Sequence, residues 1–152
     1  MAEIQFYHLL SSPLEVALPK LLERALAADM RCVVHVDSPQ MEKKLDDLLW
    51  QHDGAFLPHG TSQDPFKERQ PIYITHQQET PNAASVLVVT DGLQVSAVDD
   101  YIKILDLFDG HQESQVAAAR ARWKHYKDAG IKLTYNKQQP RGGWKQEQTA
   151  NA

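Results

Sequence analysis

The chain has 152 residues, 42% of them hydrophobic and 24% charged, values that suit one globular domain with its own core and exclude wholesale disorder. Its 16 Lys and Arg stand against 20 Asp and Glu, a net charge of -4, which argues against general affinity for nucleic acid because phosphate contacts dominate such binding. No apolar run approaches a bilayer span, and MAEIQFYHLL has neither the basic start nor the cleavage site of a secretory signal, so a cytoplasmic protein with no membrane partner is expected.

EIQFYHLL, with Ile4, Phe6, Leu9 and Leu10, predicts a first strand. SSPLEVALPKLLERALAAD predicts a helix with Ser12 as N-cap, Pro13 at the first helical position and a stripe of Leu14, Leu18, Leu21, Leu22 and Leu26. Pro19 inside it predicts a kink or a late start. RCVVHV, bounded by Asp29 and Asp37, reads as a strand buried on both faces, with Cys32 a small buried hydrophobe. SPQMEKKLDDLLWQ predicts a helix capped by Ser38 with Pro39 next, its stripe running through Met41, Leu45, Leu48 and Leu49 towards Trp50. HDGAFLPHGTSQDPFKERQ breaks that periodicity, and a connection of this length is usually functional or carries a short helix. PIYITH, ASVLVVTDG and YIKILDLF are the next strands, and HQESQVAAARARWKHYKDAG is the last helix, closed by Gly130. NKQQPRGGWKQEQTANA is polar, with Trp144 as its one anchor. This places a single domain over 1–144 and a disordered tail over 145–152. Strands alternating with helices, several of them short and apolar, give an α/β class: a three-layer α/β/α domain on a mostly parallel sheet, Rossmann-like in layout.

That layout raises the question of a nucleotide, and the loops that bind one are missing. There is no G-x-x-x-x-G-K-[ST], and the turn after the first strand, LLSSPLE, contains no glycine, so the backbone cannot wrap a pyrophosphate closely. The seven histidines show no helical i, i+4 pair with a third ligand in view. No G-x-S-x-G elbow and no cysteine beside a base suggests covalent catalysis. His35 and Asp37 point to one side at a strand end, either as a polar pair of no consequence or as a site. Neither cofactor nor metal is expected.

The last helix is unlike the rest of this acidic chain. At about 100° per residue, Arg120, Lys124 and Lys127 fall within an arc of about 60°, with Trp123 about 40° beyond Lys127. From Ala117 to Lys127 there is no acid, so no i, i+4 partner satisfies these cations within that segment. The run fits either a solvated helix face or a seat for an anion with an apolar neighbour, and an acidic peptide suits it better than duplex DNA.

LDDLLWQHDGAFLPHG, then QPIYIT with NAASVLVV, then AARARWKHYKDAG and a late GGW together resemble the chi subunit of bacterial DNA polymerase III, an accessory protein of the clamp loader. The likeness spans nearly the whole chain and rests on the patterns L-D-x-x-L-W…F-x-P-H and A-R-x-R-[WY]-K-x-Y-[RK]-x-A-G. It implies an adaptor without catalysis of its own. Such an adaptor pairs with the small psi subunit and, on a separate surface, grips the acidic C-terminal tail of single-stranded-DNA-binding protein, which ends in aspartates, a proline and a phenylalanine. Residue by residue, the resemblance implies that Arg120 pairs with a tail carboxylate, that Lys124 and Lys127 add charge, and that Trp123, Trp50 and Phe108 wall a slot for the terminal phenylalanine. Phe56, with Leu57 beside it, is implied at the psi contact. The chain departs from the pattern at Val116, where some members carry a further basic residue, and Arg122 is the available substitute. Two other readings stand beside this one: a degenerate nucleotide-binding or helicase-like domain, and a direct single-stranded nucleic acid binder stacking bases on Trp123 and Trp50.

Overall fold

The computed structural model describes residues 2–52, 57–90, 92–95, 97–141 and 143–151. In chain order these form β1 (Glu3–Leu9), α1 (Leu14–Ala27), β2 (Cys32–His35), α2 (Pro39–Gln51), β3 (His59–Thr61), β4 (Ile72–Thr75), β5 (Val86–Val89), β6 (Lys103–Asp109), α3 (Glu113–Asp128), β7 (Lys132–Gln138) and β8 (Trp144–Ala150), with short 3₁₀ turns at Lys67–Arg69 and Val98–Asp100. One open sheet takes the order β3-β4-β2-β5-β6-β1-β7-β8. Every described pairing is parallel except β7 with β8.

The parallel strands are nearly continuous in apolar residues because both faces are covered. On one face the leucines of α1 and α2 pack over Cys32, Val34, Ile72, Ile74, Val86 and Val88. Each fully buried leucine contributes about 1.5–3 kcal/mol. On the other face α3 covers Ile4, Phe6, Ile104, Phe108 and Leu133, while irregular segments roof the rest. Cys32 is buried, and burial pushes its thiol up to about 12, as the inert reading requires.

Local signals explain most boundaries. Ser38 accepts the Met41 amide at 3.1 Å and Pro39 opens α2, as expected for an N-cap followed by proline. Gly130, at φ +79, closes α3; its amide bonds Lys127 O at 3.0 Å and the Ile131 amide bonds Tyr126 O at 3.1 Å, a Schellman motif that favours glycine.

Three expectations change. Ser12 does not cap α1; Pro13 holds that position with no side-chain cap. Instead the Gln138 side-chain oxygen accepts the amides of Leu10, Ser11 and Ser12, each at 3.0 Å, and its Nε2 donates to the Ser12 hydroxyl at 2.5 Å. α1 also starts at Leu14 in place of the late start and runs through a buried Pro19, tolerated because burial of the flanking leucines outweighs one lost backbone bond. Finally, residues 145–150, expected as a disordered tail, belong to β8. It pairs with β7 from Gln138↔Trp144 to Leu133↔Ala150, and the Trp144 ring meets Tyr7 at 4.8 Å. Backbone pairing orders this segment although it has almost no apolar side chains.

Candidate peptide-binding site

α3 lies across the β6-β1-β7 part of the sheet and buries only Ala119, Arg122 and Tyr126. Arg122 is the unusual member. Its Nε and Nη2 donate to the two Asp106 carboxylate oxygens at 2.8 and 2.9 Å, and both side chains are almost fully buried. Burial pushes the Asp106 carboxyl up, and the Arg122 fork pulls it back. Arg122 Nη1 also reaches Gly92 O at 3.5 Å, and the Tyr126 hydroxyl accepts the Val95 amide at 2.9 Å. The underside of α3 thus grips both the sheet and the segment after β5.

This geometry overturns the role of substitute offered for Arg122. Its charge is consumed inside the protein. Val116 is half-buried against the same core, so neither position offers a cation to the outer face of α3.

On the outer face, Arg120, Lys124 and Lys127 are all exposed, and among the described residues none of them forms an ion pair. Trp123 is half-buried between them and the sheet, its ring 5.5 Å from Phe6 and 6.0 Å from Tyr135. The Tyr135 hydroxyl bonds His8 Nδ1. Burial, then Lys137 and Arg120, hold the His8 imidazole below its ordinary value, so His8 is neutral near pH 7 and adds no charge. Lys137 is exposed and pairs in register with His8, which brings it within electrostatic reach of the same spot as Arg120. Unassigned in the sequence, it belongs to this face: it stands two residues from Tyr135 on a strand, and alternation puts both on one side.

The expected slot is only partly assembled. Phe108 is 2% exposed and lies beneath His8 at 4.9 Å and beside Phe6 at 6.4 Å. It is a floor to the aromatic cluster and cannot wall an open slot. What this face presents is the half-exposed rings of Trp123 and Tyr135, a shallow aromatic ledge rimmed by Arg120, Lys124 and Lys137.

Trp50 takes no part in it. It lies on α2, on the opposite face of the sheet, with its ring 4.5 Å from His59 of β3. β3 is four places from β6 in the sheet, about 19 Å at the usual strand spacing. Its indole is 59% exposed. Leu57, offered as a psi contact, is 2% exposed in the core under α1 and α2, so it is a packing residue and no docking surface. Phe56 lies outside the described residues.

Among the described residues no group of three His, Cys, Asp or Glu is placed to hold a metal ion, and no helix is long and apolar enough to cross a membrane. The turn after β1, where an α/β domain of this layout binds phosphate, has its amides already bonded to Gln138.

The family model described as DNA polymerase III chi subunit, HolC, matches residues 1–134. A protein of Rickettsia prowazekii (strain Madrid E) named "Probable DNA polymerase III subunit chi" is 32% identical over 108 residues, covering 68% of this chain. The chain spans 66% of that relative's length.

Proposed function

Since the chain belongs to the DNA polymerase III chi subunit family, a family of replication accessory subunits, we propose that it is a non-catalytic adaptor of the cytoplasmic replication machinery, joining the clamp loader through psi to the acidic tail of single-stranded-DNA-binding protein. The observation that carries this reading is the outer face of α3. Three cations that form no ion pair among the described residues flank a half-exposed indole there, and a fourth, Lys137, approaches from β7. A peptide ending in aspartates and a phenylalanine offers carboxylates to the cations and an apolar ring to the ledge. Arg120 is the central contact, because its planar fork holds a carboxylate at two points. For psi, Trp50 is a large apolar side chain left 59% exposed, six residues before Phe56 in the sequence, and we reassign Trp50 from the tail slot to that contact.

Titration of a synthetic tail peptide tests both assignments. Arg120→Ala is expected to weaken binding about tenfold, and added salt to weaken it further, as loss of one charge-assisted contact predicts. Trp50→Ala is expected to lose co-purification with psi while Arg120→Ala keeps it. Equal peptide affinity for wild type and Arg120→Ala would remove α3 from the site, and loss of both partners in either variant would make the two surfaces one.

A further inference from the structure

The half of the sheet that α3 leaves uncovered is roofed by residues 76–82 on one side and by residues 92–95 and 97–101, with their 3₁₀ turn, on the other, and between them lies a cavity of about 450 Å³. It opens at the C-terminal ends of β2, β4 and β5, the edge at which open α/β sheets collect ligands. Leu87 and Val89 of β5 form a buried floor, and Leu93 and Val95 supply apolar wall from the roof.

The polar part of the lining has one sign. Asp37, Glu79 and Asp100 line the cavity beside the imidazoles of His35 and His76, the latter bonded to Glu42, and among the described residues no Lys or Arg lines it. Lys67, which acts on Glu79, lies outside the lining. Glu79 is held in place: its Oε1 accepts the Tyr73 hydroxyl at 2.6 Å and the Thr75 hydroxyl at 3.1 Å. None of its described hydrogen bonds uses Oε2. His35 bonds the Glu79 carbonyl through Nε2 at 3.0 Å, and burial holds its imidazole below the ordinary value, so it brings no positive charge near pH 7. A fixed carboxylate therefore borders an apolar hollow whose charges call for a cation.

We propose that this cavity is a second recognition site, accepting a lysine or arginine side chain and the apolar residue beside it from a partner protein. A small inorganic cation would leave the leucine and valine floor without a complement, and an anionic segment would meet three carboxylates. The α3 face selects acidic segments and this cavity basic ones, so the two surfaces sort partners by charge. The inference stands on the cavity alone and does not depend on the tail-binding reading.

The test is a heteronuclear NMR titration of the full chain with N-acetyl-leucyl-arginine amide, and with the same peptide carrying citrulline, a neutral isostere of arginine. Shifts are expected at His35, Leu93 and Val95, with the citrulline peptide at least about fivefold weaker, the difference that loss of a charge-assisted contact makes at a partly exposed site. Glu79→Gln, which keeps an acceptor for Tyr73 and Thr75, is expected to weaken the arginine peptide likewise. If Glu79→Gln unfolds, Asp100→Asn decides, since Asp100 is exposed and makes no described side-chain bond. Absence of shifts at millimolar peptide, equal binding of the two peptides, or shifts mapping to another surface would each overturn the proposal.

Discussion

Asp29 ends α1 at φ +57, with its amide on Leu26 O and the Met30 amide on Ala25 O. This is the Schellman arrangement that Gly130 makes at the end of α3, built here on a residue with a Cβ. The left-handed conformation costs such a residue about 1–2 kcal/mol, and glycine's extra unfolded-state freedom offsets about 0.5–1 kcal/mol of the relief. Asp29→Gly is therefore expected to raise stability by about 0.5–1 kcal/mol, read as a higher urea midpoint at unchanged slope. No increase would mean that the Asp29 side chain itself stabilises the turn. Gln138 shows the opposite economy at the same scale, since one amide side chain satisfies three backbone donors of the β1–α1 turn.

Among the elements, α3 is the one whose seating depends on charge. Ala119 and Tyr126 are its fully buried apolar contacts and Val116 and Trp123 its partly buried ones, so the buried Arg122–Asp106 fork carries an unusual share of its rotational setting on the sheet. Removing one partner strands the other: Asp106→Asn is expected to cost about 3–5 kcal/mol, whereas Asp106→Leu with Arg122→Met is expected to be near neutral. Denaturant unfolding of the three proteins checks this. A double variant as unstable as the single one would assign the loss to packing. Arg122 was misread as a spare cation of the outer face, although the helical wheel puts it about 40° past Tyr126 and away from Arg120, and Asp106 is a lone acid on the strand face of Ile104 and Phe108. α2 was legible from Ser38 and Pro39, and β6 from alternation. β7 and β8 were not, because the alternation of Ile131, Leu133 and Tyr135 with Lys132, Thr134 and Asn136 is short and passes into a polar run, while the register with β1, from Glu3↔Lys132 to His8↔Lys137, makes the strand. Lys137 was hidden with it. Arg120, Lys124 and Lys127 shared a face on paper because helix geometry fixes that locally, while grouping Trp50 and Phe108 with Trp123 needed the strand order, which no local pattern contains.

For the whole molecule, the shifted groups define the pH range of stability. His8 and His35 are held below their ordinary value by burial. Glu15 and Glu79 are held low chiefly by their bonds to Lys44 and Tyr73. In each case the unfolded chain binds more protons, so stability is present above the unfolded pKa and is lost as pH falls. The histidine loss begins below 6.5, and the carboxylate loss follows below 4.5. On the alkaline side Cys32 is pushed from 9.0 up to about 12, and burial raises Tyr7, Tyr126 and Tyr135 above 10.0. Those groups contribute stability that is lost as pH climbs past the unfolded values. Tm measured across pH is expected to be flat between about 7 and 8.5 and to fall on both sides. A Tm that rises between pH 6.5 and 5 would contradict the assignment of neutral, buried histidines.

The strand order also governs how the chain matures. β1 precedes the other described strands in the chain and sits between β6 and β7, so both of its neighbours leave the ribosome only after about a hundred further residues have been made. Until then Ile4 and Phe6, central to the finished interior, have no sheet to join, and the two bare margins of β1 invite pairing with other nascent chains. Such long-range closure folds slowly. A polypeptide released before β6 and β7 emerge is therefore a substrate for chaperones and proteases, whatever the stability of the completed protein.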